Sequence, residues 1–501
     1  MNIIEAMHEP KLFARWFRDR STWSGWQSFL RALFALPMSP DEVATFQSCT
    51  ARLDAPTAPA KEAWLICGRR AGKSFVLALV AVFLACFRSW QSHLAPGERA
   101  TILVLAADRR QAHVILRYVR ALLTETPMLR RMLEAERAES FDLVNQVTIE
   151  IGTASFRTVR GYTIAAALCD ELAFWPSDDS ISPDYEILDA IRPGLATLPG
   201  SMLLCASSPY ARKGALWDAW KRHHGDKGDP SILVWQAPTR LMNPTVSQAV
   251  VDAAMERDSE SASAEWLAQF RTDLSAYVDR GVVERCVDPD CVERPPERGI
   301  KYVAFVDPSG GSSDSMTLAV AHRDGESIVI DLVREMVPPF SPASCVREFA
   351  EALKPYGVKR VHGDRYAGEW PREAFRKQGI EYRPGALPKS ELYQNLLPLL
   401  NTGAITLPDN RRMIAQLAGL ERRVTRAGKD SIDHGSTSHD DLANCVAGVA
   451  WAAQTKNRQS YYTNAPTDPL FAPVAADNGI ETPKRFPLKG GGFVTVERNP
   501  R

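Results

Sequence analysis

The chain has no net charge: its 60 lysines and arginines are balanced by 60 aspartates and glutamates over 501 residues. That balance excludes a chain-wide electrostatic grip on nucleic acid and leaves only local basic patches for the purpose. Arg109-Arg110, Arg130-Arg131, Lys221-Arg222, and Arg411-Arg412 with Arg422-Arg423 are candidates, although a solvated helix face is the commoner use of such pairs. A CxxC pair is also absent. The nine cysteines are scattered, and Cys67, Cys169, Cys205 and Cys445 sit inside apolar runs, as reduced thiols used as small core residues do. A reducing cytoplasm is the expected setting. No apolar signal-peptide core follows the N-terminus, where Glu5 and Glu9 stand, and the longest apolar run, Phe75 to Phe87, is too short to span a bilayer. With 45% hydrophobic residues, the chain is long enough to build more than one core, and two domains plus end segments are expected.

What is present centres on Cys67-Gly68-Arg69-Arg70-Ala71-Gly72-Lys73-Ser74. The strand-like run Ala63 to Cys67 breaks into glycines and basic residues and continues as the apolar helix Ser74 to Arg88. This is the pattern of a phosphate-binding loop. Gly72 permits a tight turn, amides at the helix start face phosphate oxygens, Lys73 reaches the terminal phosphates and the Ser74 hydroxyl ligates magnesium. The usual first glycine falls at Cys67, and Gly68 arrives one residue late.

Residues 1–60 read as an aromatic-rich helical segment that packs on the next domain, with Gln47 a candidate adenine contact. From 61 to about 240, strand-like runs (Ala63–Cys67, Thr101–Ala107, Ala165–Cys169, Met202–Ala206, Ile232–Gln236) alternate with helical ones, predicting a mainly parallel sheet. Gln146–Ile151 and Ser155–Val159 alternate like a hairpin. The third run ends in Asp170-Glu171. Beside a phosphate loop, the first carboxylate is expected to hold magnesium through water and the second to polarise the attacking water. Ser207-Ser208 ends the fourth run, where open α/β sheets place ligand groups. Arg160, on a glycine-flanked turn, is either a surface residue or a finger reaching a neighbouring subunit's transferring phosphate.

After an irregular stretch at 288–299, three strands (Lys301–Asp307, Met316–His322, Ser327–Val333), the helix Pro342–Lys354 and the strand Lys359–Asp364 follow. A short strand near Ile380–Arg383, the helix Ser390–Leu400, Ala404–Leu407, a basic helix from Asp409 to about Arg426 and an apolar helix from His439 to Ala452 complete the pattern. Asp307 and Asp364 end neighbouring strands, and Asp440-Asp441 open a late helix. This order of elements is RNase H-like. Two divalent ions about 4 Å apart need such converging carboxylates to hydrolyse a phosphodiester. Asp314 reads as a turn residue, and the tail beyond Lys456, rich in proline and glycine, as flexible.

In their order and combination these motifs resemble the large terminase subunit of tailed bacteriophages, over about residues 60–455. They are the deviant loop Gly68 to Ser74, Arg160-Gly161, Leu168 to Trp175, Ser207-Ser208-Pro209, Asp307-Pro308, Gly363-Asp364, Ile432-Asp433-His434 and His439 to Asn444. The resemblance implies a helical segment (1–60), a P-loop ATPase domain (61–275), a linker (276–300), an RNase H-like nuclease domain (301–455) and a flexible tail (456–501). It implies ATP and magnesium bound by Gly68, Arg69, Arg70, Gly72, Lys73, Ser74 and Asp170, with Glu171 catalytic, Arg160 a trans-acting finger and Ser207-Ser208 coupling hydrolysis to DNA movement. Asp307, Asp364 and either Asp440 or Asp441 would hold magnesium or manganese for cutting. Double-stranded DNA, a portal protein, a small terminase subunit and a homopentameric ring are the implied partners, with no membrane, in the host bacterial cytoplasm and transiently at the procapsid portal vertex. The competing readings are a DNA translocase with an inactive RNase H-like domain and a non-catalytic scaffold of a defective prophage.

Overall fold

The computed structural model describes residues 1–154, 159–175, 183–312, 314–364, 369–424, 430–435, 438–463, 485–487 and 493–495. Met1–Ala453 form one compact unit and Gln454–Arg501 a second. In the second, Arg485–Pro487 pairs antiparallel with Phe493–Thr495. Most of the tail expected to be flexible lies outside the described residues.

In the larger unit the first sheet has eight strands. They are β1 (Glu62–Cys67), β2 (Ala100–Ala106), β3 (Leu133–Glu136), β4 (Ser140–Leu143), β5 (Val147–Thr153), β6 (Thr163–Asp170), β7 (Met202–Ser207) and β8 (Ile232–Ala237), ordered β3-β4-β5-β2-β6-β7-β1-β8. The six from β5 to β8 run parallel, and β3 and β4 add an antiparallel edge. Helices on both faces explain why these strands are apolar throughout rather than alternating. Leu65 and Val104 face one core with the helix Lys73–Phe87, while Ile66 and Leu105 face the other. The helix Lys73–Phe87 is buried nearly all round, as its uniformly apolar sequence requires. Trp26 and Phe29, from the helix Ser24–Leu33, join the first of these cores, and Phe29 meets Trp235 edge-on at 5.5 Å.

One expected hairpin is corrected. The strand at 147–153 turns back on β4, upstream, with Val147 opposite Leu143, and parallel β2 occupies its other edge. The partner expected at 155–159 falls mostly outside the described residues.

The second sheet holds β10 (Val303–Asp307), β11 (Met316–Asp324), β12 (Ser327–Met336), β13 (Arg360–Gly363), β14 (Glu381–Pro384) and β15 (Ile405–Thr406), ordered β14-β13-β10-β11-β12-β15. The antiparallel meander β10–β11–β12 with β13 parallel to β10 is the expected RNase H-like mixed topology. A small third sheet joins β9 (Leu274–Ala276), β16 (Leu420–Val424) and β17 (Asp430–His434). This corrects the basic helix expected from Asp409 to Arg426. The helix is Arg411–Gly419, and beyond Gly419 the chain extends between two strand partners, Leu274–Ala276 and Asp430–His434. Tyr277, Val278 and Val283, placed by the sequence in a linker, pack into the second sheet's core.

Candidate functional site

Two groups of acids lie at strand ends. In the first sheet β7 lies between β6 and β1, so Asp170-Glu171, Ser207-Ser208 and the loop after Cys67 meet at the carboxyl ends of three adjacent parallel strands. Lys73, only 5% exposed, donates to the carbonyls of Cys67 (3.1 Å) and Gly68 (3.3 Å) and to Ser208 Oγ (2.9 Å), and its Nζ lies 3.2 Å from Glu171 Oε1. The other Glu171 oxygen accepts from the Ser208 amide at 3.0 Å, and Ser207 Oγ lies 3.3 Å from it. Glu171 takes left-handed backbone angles (φ 50°, ψ 45°), a conformation that costs a non-glycine residue about 1 kcal/mol and that these contacts offset.

Ser74 Oγ donates to Asp170 Oδ2 at 2.8 Å. Asp170 is buried, and loss of solvation, reinforced by the charge of Glu171, holds its carboxyl above the usual range. Its Oδ1 is buried with no hydrogen-bond partner. A hydroxyl and a carboxylate side by side, with one carboxylate oxygen unsatisfied, form an all-oxygen donor set that fits magnesium and its waters. Of the loop cations, Arg69 turns away to pair with Glu265 at 3.1 Å, while Arg70 is exposed with φ 62°. Arg160 is exposed on the turn before Gly161 (φ 89°). Gln47 donates to the Leu53 carbonyl.

In the second sheet the parallel register Val306↔Gly363 sets the following residues, Asp307 and Asp364, side by side. The helix Asp441–Thr463 is brought down on β10 at Gly448, where a Cβ would stand 2.5 Å from the Phe305 ring. One helical turn earlier Asn444 Nδ2 donates to Asp307 Oδ2 at 2.7 Å. Asp307 is pushed up to about 8 by loss of solvation and by the charges of Asp441, Asp364 and Asp440, against the opposing Asn444 bond. Asp441 is pushed up to about 6, again chiefly by desolvation and then by Asp440. Its Oδ2 lies 3.3 Å from the Ser315 amide, whose residue leads into β11.

The adjacent acids have different surroundings. Asp440 is buried, accepts from Tyr393 OH at 2.7 Å and pairs with Lys389 at 2.9 Å; Lys389 also pairs with Asp433 at 2.7 Å. Asp314 is exposed, and its carbonyl accepts from Ser309 Oγ. Several partners carry no motif of their own: Lys389 and Tyr393 here, and Trp26, Thr239 and Asn243 around the phosphate loop; Asn444 ends the His439–Asn444 motif, where the sequence assigns it no role. For Asn444 a signal existed, its place three residues after Asp441 on one helix face.

The class defined by this fold is an α/β phosphate-loop sheet followed by an RNase H-like sheet, with acids at the strand ends of each. Among solved structures, the chain is similar to the HK97 bacteriophage large terminase (17% identity, 86% of this chain and 99% of that one, TM-score 0.36). It is also similar to the large terminase of a thermophilic bacteriophage in complex with ATP-gamma-S (11% identity, 85% and 98%, TM-score 0.36). A third likeness, to the large terminase nuclease of thermophilic phage G20c with bound magnesium, has 19% identity, covers 34% and 93%, and has a TM-score of 0.30. No family profile and no curated protein matches the chain.

Proposed function

We propose that this chain is the motor and nuclease subunit of a viral DNA-packaging machine. ATP hydrolysis at the first site drives double-stranded DNA into a procapsid, and the second site cuts concatemeric DNA. The observation that carries the reading is the presence, in one chain, of two unlike acidic sites: one with a phosphate loop and its own lysine, the other an aspartate cluster around Asp307.

At the first site the loop amides and Lys73 would bind the phosphates, and Ser74 and Asp170 would hold magnesium, which when bound neutralises charge on the transferring phosphoryl group. Glu171 would accept a proton from the attacking water once Lys73 turns to the phosphates. Ser208 contacts both Lys73 and Glu171, so it senses which of them has moved. This supports the coupling role given to Ser207-Ser208. Arg160 would act from a neighbouring subunit of a ring, which we take as a pentamer docked on a portal protein and served by a small subunit.

At the second site Asp307, Asp364 and Asp441 would hold magnesium or manganese, which when bound activates water and stabilises the leaving oxygen. The donor set fits: every donor is a carboxylate oxygen, and at Asp307 and Asp441 loss of solvation, with the charges of neighbouring acids, disfavours the charged state in the absence of cations. Of the two adjacent acids we assign the metal to Asp441, because the Asp440 carboxylate is taken by Lys389 and Tyr393. Among the described residues no helix is long and apolar enough to cross a membrane.

The test is to follow phosphate release and nicking of supercoiled plasmid with magnesium or manganese, for wild type, Lys73→Ala and Asp307→Ala. We expect Lys73→Ala to lose only ATP hydrolysis and Asp307→Ala only cutting. A wild type that hydrolyses ATP but cuts no DNA with any divalent ion would leave a translocase with an inactive second site.

A further inference from the structure

The phosphate loop is held from behind by three side chains that belong to no motif. Thr239 Oγ1 donates to the Arg69 carbonyl at 2.9 Å, Asn243 Nδ2 to the Arg70 carbonyl at 2.8 Å and Trp26 Nε1 to the Ala71 carbonyl at 2.9 Å. Trp26 comes from the N-terminal aromatic segment. Thr239 and Asn243 follow β8, some 170 residues downstream of the loop. The amides of Gly68 and Arg69 are directed the same way, to the carbonyls of Ala237 (3.4 Å) and Glu265 (2.5 Å).

A trans peptide is planar, so its C=O and N–H point in opposite directions. Fixing three successive carbonyls outward therefore turns the amides of Arg70, Ala71 and Gly72 inward, away from the clamp. The backbone agrees: Arg70 (φ 62°) and Gly72 (φ 105°) are left-handed on either side of Ala71, whose φ is not positive. That alternation curls consecutive N–H groups into an anion-binding concavity. Left-handed geometry is unfavourable for an arginine, and the Asn243 bond to its carbonyl helps to hold it there.

The displaced glycine finds its reason in the same clamp. A Cβ at Gly68 would lie 2.1 Å from Thr239 Oγ1 and 2.8 Å from the Glu265 carbonyl. Glycine is required there for the close approach of the downstream segment.

We propose that Trp26, Thr239 and Asn243 are positioning residues for the nucleotide: they pre-form the concavity that receives the polyphosphate. The inference rests on the proposed reading of the loop as the ATP site. Side chains that served only packing would affect folding and leave phosphate affinity alone.

The experiment measures steady-state ATP hydrolysis, its inhibition by inorganic tripolyphosphate and thermal unfolding without ligand. The proteins are full-length wild type, Thr239→Val, Thr239→Ser, Asn243→Ala and Trp26→Phe. Thr239→Val keeps the shape and loses the donor, Thr239→Ser keeps the donor, and Asn243 lies near the surface, where loss of its amide does not threaten the core. Thr239→Val, Asn243→Ala and Trp26→Phe are each expected to raise the KM for ATP and the inhibition constant for tripolyphosphate by about tenfold, with kcat reduced less than about twofold, as the loss of one positioning hydrogen bond predicts. Thr239→Ser should restore both constants. Lowered unfolding temperatures with unmoved KM and inhibition constants would overturn the proposal and leave the ATP site standing. A wild type that neither hydrolyses ATP nor binds tripolyphosphate would remove the ATP site and the proposal together.

Discussion

At the end of β6 a lysine stands among the acids, whereas at the end of β10 the partner of Asp307 is an amide, Asn444. Lys389 spends its charge on Asp440 and Asp433. The first site therefore carries its own counter-charge on the chain, as Lys73. Among the described residues no lysine or arginine pairs with Asp307 or Asp441, and loss of solvation with the charges of neighbouring acids pushes Asp307 up to about 8 and Asp441 to about 6. A cluster of that kind acquires its counter-charge from outside, which is the physical requirement behind dependence on divalent cations. On the proposed reading, the same chemistry, activating water beside a phosphate, is thus approached by two electrostatic designs in one chain.

The comparison can be broken most forcefully by substitutions that keep shape and remove one charge. Glu171→Gln should lower kcat for ATP by about a thousandfold or more, as loss of a water-orienting carboxylate does. Because it also removes Lys73's ion pair, ATP should bind at least as tightly as to wild type, checked by equilibrium binding. Loss of ATP binding would mean that Glu171 holds the loop together rather than serving the reaction. Metal-dependent plasmid cutting should be unaffected.

Next in size is the contrast between neighbouring acids. Asp441→Asn should reduce cutting by about a hundredfold, the scale of losing a metal ligand or its orientation. Asp440→Asn should reduce cutting less and lower the unfolding temperature more, because it disturbs a buried acceptor of Tyr393 and Lys389. Reversed results would move the metal to Asp440.

The third prediction concerns pH. The folded-state values of Asp307 and Asp441 lie above the ordinary 3.8, so over the interval from about 4 to about 8 these two groups hold more protons in the folded chain than in the unfolded one. Their contribution to the stability of the metal-free protein should therefore be lost as pH rises through that window and level off above it. Added magnesium should restore more stability at pH 8 than at pH 5, and Asp307→Asn should flatten the profile. Thermal melts over this range decide it; stability that rises with pH in the wild type but not in Asp307→Asn would contradict the electrostatic account.

The smallest effect is expected where the loop after β7 meets β16 of the small third sheet. Tyr210, two residues after Ser208, donates to Glu421 Oε2 at 2.7 Å, and Lys213 pairs with Glu421 Oε1 at 2.6 Å. Tyr210→Phe should cost about 1 kcal/mol in denaturant unfolding, the ordinary worth of one such bond, and leave both activities in place. A large loss of either activity would show that this contact transmits more than stability.

Much of this was legible along the chain. A strand that ends in glycine, lysine and serine before an apolar helix has few other uses, and apolar runs ending in aspartate mark strand ends in both sheets. What was not legible came from residues distant in sequence. Thr239 and Asn243 meet the loop across about 170 positions, and nothing in their own neighbourhoods marks them. Asp440 and Asp441 are identical as letters, and only Tyr393 and Lys389, brought in from another helix, tell them apart. The misread helix beyond Gly419 has a similar cause: Leu420 to Val424 carries charges that suit a helix face, and strand pairing with β9 and β17 overrides that preference. Its Arg423 is engaged by Asp258 and Asp273.

The Lys73–Glu171 ion pair has one further consequence. A base already matched to a cation is a poor base, so on the proposed reading water beside Glu171 is not activated while the loop is empty. ATP would have to compete for the lysine before the carboxylate is released, and part of its binding affinity would be given up in that exchange. The nucleotide itself would thus arm the reaction that consumes it, and a subunit waiting its turn would stay chemically idle.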